Sequence, residues 1–250
     1  MLKNLVVEGL KKLFAKYEPY GVLAIYLQGS IVGNDFEIGN SDVDSVAFVS
    51  DSVSLDFEKV MRDFLSKNYP DIRDFGIRIL YLSEMQDGVS RGGHLSKYIA
   101  PALLALDFPS WEHVAGREFS QNDFVKISQG KAVSLRLQHM ESRGWRNVEG
   151  VELDFLQYYL KTILRIIWHI DQERGRRYLF SYSAVSNRDD EYSEIASIIK
   201  KIRDARWDKE IFIKNKGVFQ NFVDKMFSSL SSTSKRNIRH PESSEGSRFS

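Results

Sequence analysis

The chain has 250 residues, of which 42% are hydrophobic, and this length allows one large or two small domains with a real core. Its formal net charge of +1 gives no strong field to attract nucleic acid to the whole molecule, although a local basic patch remains compatible with it. Because cysteine is absent, disulfide bonds and thiolate metal sites are excluded. The sequence lacks the apolar runs that a signal peptide or a membrane span needs, so we expect neither. We therefore expect a cytoplasmic location.

The first part of the chain predicts a small mixed α/β domain. Apolar residues at spacings of three and four over residues 2–18 predict an amphipathic helix. Strands are expected at about 22–28 and 45–49, a second helix over 55–67, and a third strand over 75–82. The order α-β-β-α-β fits a mixed sheet covered by helices.

The remainder of the chain predicts a helical bundle followed by a tail. Residues 107–118 are predicted as a loop or edge strand, and helical periodicity occurs over 94–106 (interrupted by Pro101), 122–142, 153–173, 190–206 and 217–229. The Ser-rich, polar end is predicted to be disordered because it cannot bury enough apolar area. We therefore predict domains over 1–118 and 119–229 and a disordered tail over 230–250.

A short motif follows the first predicted strand. Gly29-Ser30 is separated by eleven residues from Asp42-Val43-Asp44. Two carboxylates at positions i and i+2 of a strand point to the same face, and Mg²⁺ is usually held by one or two carboxylates plus substrate phosphates. Glycine lets a triphosphate approach the backbone, and the serine hydroxyl can donate a hydrogen bond to a phosphate oxygen. The stretch indicates a metal-nucleotide site.

Each half of this motif also has a simpler interpretation. An Asp-x-Asp after a turn is commonly a pair of solvated loop carboxylates, and Gly-Ser alone is an ordinary turn. The apolar runs 22–27 and 46–49 favour the functional interpretation, because strand, turn, loop, acids and strand together form one supersecondary unit. Ser41 is expected to cap the turn before the acids.

The motif resembles the signature of the DNA polymerase β-like nucleotidyltransferase superfamily, with Ser45 standing where that family usually has an apolar residue. Together with the predicted helical second half, it makes the chain most similar to the aminoglycoside adenylyltransferases of the streptomycin/spectinomycin type. Further likeness lies in 112–118, in Trp145 and Asp154 ahead of the helix that carries Arg165 and Trp168, and in 183–192. The resemblance implies an α/β (α+β) nucleotidyltransferase domain with a mixed sheet plus a C-terminal α-helical bundle.

The resemblance also implies an activity and a set of residues. The implied reaction is the metal-dependent transfer of AMP from ATP to a hydroxyl group of a small molecule, with release of pyrophosphate. The resemblance suggests an aminoglycoside as that small molecule and antibiotic resistance as the role. Asp42 and Asp44 would be catalytic metal ligands for Mg²⁺, and two ions about 4 Å apart could clamp the attacking and leaving oxygens. The Gly29 backbone and the Ser30 hydroxyl would hold the β- and γ-phosphates.

A third catalytic acid, which the family takes from the third strand, is the difficulty. Its position falls near Gly76 or Arg78, and neither can serve. Asp74 could substitute as the catalytic acid if the register shifts by one pair, or it could be a solvated carboxylate at the start of a strand. Without a third acid the protein works slowly, takes a base from its substrate, or binds nucleotide without catalysis.

Candidate binding residues also lie in the second half. Lys161 and Arg165 share a helix face, and the resemblance implies that they reach triphosphate oxygens; otherwise they form an exposed basic face. Trp145, Glu149 and Asp154 would bind a cationic acceptor through charge-assisted hydrogen bonds and cation–π contact. Alternatively, Trp145 packs in the core and Asp154 is an acid favoured by a helix dipole.

Two rival functions remain. One is a nucleotidyltransferase of the same superfamily acting on protein or tRNA, and the other is a catalytically impaired nucleotide-binding regulatory module. Resemblance of fold does not choose among them. The expected partners are a nucleoside triphosphate and a small-molecule hydroxyl acceptor, with no membrane; the basic run 174–177 leaves a nucleic-acid contact open but is more typical of a helix C-terminus.

Overall fold

The computed structural model describes residues 2–32, 36, 42–54, 56–72, 74–91 and 101–236. In chain order its helices and strands are α1 (Leu2–Tyr17), β1 (Val22–Gln28), β2 (Val43–Val49), α2 (Phe57–Asn68), β3 (Phe75–Tyr81), α3 (Leu82–Asp87), α4 (Pro101–Asp107), β4 (Glu112–Gly116), α5 (Gln129–Ser142), α6 (Leu156–Glu173), α7 (Tyr182–Ser186), α8 (Ser193–Asp204), α9 (Lys209–Lys214) and α10 (Lys216–Arg236).

The four strands form one mixed sheet in the order β3-β2-β1-β4. β1 runs antiparallel to both β2 and β4, whereas β2 and β3 are parallel. The parallel connection between β2 and β3 contains α2, as such a crossover requires. This arrangement confirms the predicted fold class, a mixed sheet with helices followed by a helical part.

The two faces of the sheet are buried by different parts of the chain. One face carries Ile25, Leu27 and Ala47 and packs against apolar residues of α1 and α2. The other carries Ala24, Tyr26, Val46, Phe48 and Leu80 and packs against Met85, Leu104, Phe108, Phe119 and Phe124. Because both faces are covered, β1 and β2 are apolar along most of their length rather than alternating.

The chain divides into two compact units. Unit 1 consists of Met1–Leu135 and Trp168–Val185, and unit 2 of Arg136–Ile167 and Ser186–Ser250. The domain boundaries predicted from the sequence separate parts that are expected to fold on their own. The division into compact units does not test independent folding, so these boundaries stay predictions. Residues 237–250 of the predicted tail lie outside the described residues.

Unit 2 is helical and has an aromatic core. Tyr159 of α6 is fully buried, and its ring packs edge-on against Trp145 at 5.7 Å and Phe212 at 5.8 Å between centroids. Burial raises the pKa of the Tyr159 hydroxyl, which has no hydrogen-bond partner within the described residues. Throughout the described part of the chain, the helices are too short or too polar to cross a membrane.

The segment Trp168–Val185 is fastened by polar contacts within unit 1. The Trp168 indole and the Gln172 amide both donate to the backbone carbonyl of Tyr178, at 3.0 Å each. The buried carboxylate of Asp171 accepts a hydrogen bond from the Tyr178 hydroxyl. This end of α6 and the chain after it are therefore held by hydrogen bonds rather than by apolar packing alone.

Candidate functional site

The register of the sheet places three residues side by side. Gln28, the last residue of β1, pairs with Asp44 of β2, and Asp44 pairs with Gly76 of β3. Because side chains alternate along a strand, all three lie on one face, together with Tyr26 and Val46. We call the surface formed by Gln28, Asp44 and Gly76 the acid face; it lies where β1 ends and where β2 and β3 begin.

The carboxylate of Asp44 lies between two glycines. A Cβ atom added at Gly76 would stand 2.0 Å from Asp44 Oδ1, and one added at Gly29 would stand 2.8 Å from Asp44 Oδ2. Neither distance is possible for real atoms, so the absence of a side chain at both positions makes the space that the carboxylate occupies. Asp44 is half-buried there.

Gly29 also has a backbone reason to be glycine. Its φ of +73° lies in the left-handed region that residues with a Cβ rarely adopt. It opens a short helical turn, Gly29–Ile31, in which the Val32 N–H donates to the Gly29 carbonyl at 3.2 Å. The turn keeps the backbone of Gly29 exposed and Ser30 half-buried beside Asp44's strand.

Asp42 directly precedes β2 and is half-buried. Continuing the alternation of β2 by one step puts it on the same side as Asp44. Ser41, predicted to cap the turn, lies outside the described residues. The predicted pair of carboxylates thus belongs to one strand and its immediate start, as the motif indicated.

Asp74, which the sequence offers as a substitute for the third acid, contacts the start of β2, Phe75 and Arg62. Its backbone carbonyl accepts from the Val43 N–H at 3.0 Å, so it lies at the start of β3 beside the start of β2. Its carboxylate accepts from the N–H of Phe75 at 2.7 Å and lies 3.7 Å from Arg62 Nη1, with its side chain 70% exposed. The catalytic role of Asp74 stays a prediction, and its contacts are those of a solvated acid at the start of a strand.

The donor set of the acid face is small. Within the described residues, no group of three or more His, Asp or Glu side chains is placed to hold a metal ion. Asp42 and Asp44 offer two carboxylates on one side, and such a pair fits Mg²⁺ when phosphate oxygens and water supply the other ligands. Arg78, two residues beyond Gly76 in β3, lies on the same face of the sheet.

The other predicted binding residues lie in unit 2. Lys161 and Arg165 are half-buried and four residues apart on α6, so they share a helix face. Trp145 is only 4% exposed, and its ring contacts His139 and Tyr159. Their roles toward nucleotide and acceptor stay predictions, and the burial of Trp145 is that of a core residue.

Both predicted acceptor carboxylates of unit 2 are engaged by lysines. Glu149 Oε2 lies 2.5 Å from Lys216 Nζ, and Asp154 Oδ1 lies 3.1 Å from Lys209 Nζ. The side chain of Asp154 is 89% exposed. A cationic acceptor would have to compete with these ammonium groups, although exposed pairs of this kind are weak.

Comparison with known proteins adds a solved structure of similar fold. No protein-family model matches the sequence, and no curated protein is similar to it in sequence. Among solved structures, the chain is similar to spectinomycin adenyltransferase AAD(9) from Enterococcus faecialis, which was crystallised with ATP and spectinomycin. The two share 13% identity with a TM-score of 0.53, over 90% of this chain and 98% of that one. The likeness shows the fold.

Two functional features escaped the sequence reasoning. Gln28 was not singled out, although alternation from Tyr26 would have placed its amide on the face of Asp44. Gly76 was seen as the place of a missing acid and not as the space into which Asp44 extends. Gln28 could have been recognised from the sequence as a polar residue at the end of an apolar strand. The role of Gly76 could be recognised only once the pairing of β2 with β3 was known.

Proposed function

We propose that this protein is a metal-dependent nucleotidyltransferase that transfers AMP from ATP to a hydroxyl group of a small molecule of the aminoglycoside class. The observation that carries the proposal is the Asp44 carboxylate between Gly29 and Gly76, with Asp42 on the same side of the strand. The likeness over nearly the whole chain to a structure crystallised with ATP and spectinomycin supports this choice of substrates.

Each residue of the site has a part in this reaction. Asp42 and Asp44 hold Mg²⁺, which when bound neutralises charge on the phosphate oxygens. The exposed Gly29 backbone and the Ser30 hydroxyl bind the terminal phosphates, and the missing side chain at Gly29 permits their close approach. The hydroxyl oxygen of the acceptor attacks the α-phosphorus, the bond to the β-phosphate breaks, and pyrophosphate leaves.

Removal of the proton from the acceptor hydroxyl is the step for which the described residues offer the least support. Asp74 is held by its own backbone and lies near Arg62, and Gly76 has no side chain. The proton then passes to water or to a basic group of the acceptor, and amino groups are available on an aminoglycoside. Phosphoryl transfer tolerates this because positioning and charge neutralisation supply most of the catalysis.

A second function, a nucleotide-binding module without transferase activity, is favoured by the same feature. Gly76 occupies the position of the third acid, and the Asp44 carboxylate fills the space where a side chain there would begin. Such a protein would bind Mg²⁺ and a nucleoside triphosphate and release no pyrophosphate.

One experiment tests the proposal and separates it from this alternative. Purified protein is incubated with Mg²⁺, each of ATP, GTP, CTP and UTP, and a panel of aminoglycosides, and pyrophosphate is measured; calorimetry measures nucleotide binding in parallel. Acceptor-dependent pyrophosphate release with ATP supports the transferase. Binding without release supports the binding module, and absence of both contradicts the site. The cytoplasmic location stays a prediction.

A further inference from the structure

The amide of Gln28 is the feature of the acid face that the proposed reaction has not yet used. The residue is 6% exposed, and its Nε2 atom has no hydrogen-bond partner within the described residues. A buried N–H group without an acceptor lowers stability, so native structures rarely keep one unless a ligand, ion or water satisfies it. Gln28 therefore marks a place where the described residues supply no acceptor atom.

A second unpaired group on the same strand pair shows why position matters. The hydroxyl of Ser45 is also buried without a partner, but Ser45 follows Asp44 and so points to the opposite face. That face is closed by the apolar side chains of α1 and α2, which leaves no access for a ligand. Gln28 instead pairs directly with Asp44 and precedes Gly29-Ser30.

The surroundings of Gln28 favour an anionic acceptor. The exposed backbone of Gly29 and the hydroxyl of Ser30 follow it in the chain, and both are hydrogen-bond donors. Arg78 adds a cation to the same face of the sheet. Donors in a buried place bind an anion more strongly than a neutral oxygen, because the local dielectric is low and the hydrogen bond is charge-assisted.

We propose that the Gln28 side-chain amide donates a hydrogen bond to a phosphate oxygen of the bound nucleoside triphosphate and thereby positions it beside Asp44. The inference rests on the proposed nucleotide site and adds a binding residue to it. Gln28 is a positioning residue: it holds the phosphate chain and exchanges no proton in the reaction. The donor that the described residues leave unsatisfied is satisfied by the bound nucleotide.

The test compares two substitutions that each remove an unpaired buried group from this strand pair. Gln28→Met keeps an unbranched side chain of similar size without a donor, and Ser45→Ala is the matched control on the opposite face. Unfolding by urea gives the stability of each variant without ligand, and calorimetry gives the affinity for ATP with Mg²⁺. A third variant, Gln28→Glu, keeps the size and replaces the donor with a carboxylate.

The expected pattern separates binding from stability. Both Gln28→Met and Ser45→Ala unfold at the same or higher urea concentration than the wild type. Gln28→Met binds ATP about tenfold more weakly, which corresponds to about 1.4 kcal/mol, and Gln28→Glu binds more weakly still because its charge repels the phosphate. Ser45→Ala binds ATP as the wild type does.

Three results would overturn the inference. If Gln28→Met is as tight a binder as the wild type, Gln28 does not touch the nucleotide, and the proposed function is unaffected. If Gln28→Met instead unfolds more easily by an amount that accounts for its weaker binding, the amide is structural. If the wild type binds none of the four nucleoside triphosphates with Mg²⁺, the proposed function and this inference fail together.

Discussion

The residues of the acid face in unit 1 and the predicted acceptor residues of unit 2 are held in different ways. On the acid face, the Asp44 carboxylate occupies space that side chains at positions 29 and 76 would fill. Gln28 is buried there, and its amide donor has no partner within the described residues. In unit 2, Trp145 is buried among other rings and Asp154 is paired with a lysine. Within the described residues, the first arrangement leaves a buried polar group without a hydrogen bond, whereas in the second the buried ring of Trp145 packs against other rings.

The difference gives a rule for mutations in the two units. Substitutions on the acid face should change nucleotide chemistry and leave the free energy of unfolding nearly intact. Substitutions of the buried aromatic residues of unit 2 should change the free energy of unfolding first. Each prediction below could break this rule or make it quantitative.

The largest effect is expected for Asp44→Ala. If Asp44 holds Mg²⁺ as proposed, its loss removes several kcal/mol of charge stabilisation, so pyrophosphate release should fall by about 10³-fold or more. The matched control is Asp63→Ala on α2, where the exposed carboxylate pairs with Lys59 of its own helix. Both variants should unfold at the wild-type urea concentration; undiminished pyrophosphate release by Asp44→Ala would remove the residue from the site.

Trp145→Ala should reduce the free energy of unfolding by about 3 kcal/mol, because a large buried ring is lost from the core of unit 2. Tyr158→Ala is the control, since that ring is 55% exposed on α6 and its loss should matter much less. Urea unfolding measures both. A Trp145→Ala variant that unfolds like the wild type, and yet loses affinity for an aminoglycoside, would instead support the predicted acceptor role.

Gly76→Ala should lower pyrophosphate release by about 100-fold, the size of effect that a displacement of about 1 Å produces at a reacting centre. The new Cβ would displace Asp44 Oδ1, which stands 2.0 Å from that position. Because the displaced atom ends a short side chain, stability should change little. Gly217→Ala on α10, where a Cβ meets nothing within 4 Å, is the control and should leave pyrophosphate release unchanged; equal activity of both variants would contradict the geometry.

The smallest effect concerns pH. Burial, together with the charges of Arg143 and Arg136, lowers the pKa of His139 in unit 2. The unfolded chain therefore takes up this proton first as the pH falls below about 6.5, and the stability present above that pH is lost down through the folded-state pKa. His139→Gln should lose less unfolding free energy than the wild type between about pH 7 and pH 5. Parallel pH profiles from urea unfolding would show that His139 does not contribute.

Local features of the fold were predictable from the sequence, and features that depend on pairing were not. β1, the Gly-Ser turn and β2 were found because the signals for strand and turn lie within a few residues of one another. The short helices α3, α7 and α9 escaped because each has six residues or fewer, too few for a helical period to stand out. The strand predicted over 45–49 begins two residues earlier, at Val43, so Asp44 belongs to the sheet.

The candidate site was predicted in its parts and not in its assembly. Parallel pairing of β2 and β3 opposes Gly76 to Asp44, whereas the expectation of a third acid near Gly76 or Arg78 stays a prediction. The sequence could not reveal that the Asp44 carboxylate extends over Gly76, since a rotamer depends on neighbouring strands. The ion pair of Asp74 with Arg62, twelve positions earlier in the chain, also depends on tertiary structure, because it forms where α2 packs against β3.

The glycine at position 76 has a consequence for how this protein can change over generations. Glycine codons of the form GGT or GGC become aspartate codons by one base change, so an acid at this position is always one mutation away. Yet the first such mutant would push aside Asp44, whose carboxylate already occupies the neighbouring space. An acidic side chain at this position would therefore need a second, accompanying change that makes room for it beside Asp44.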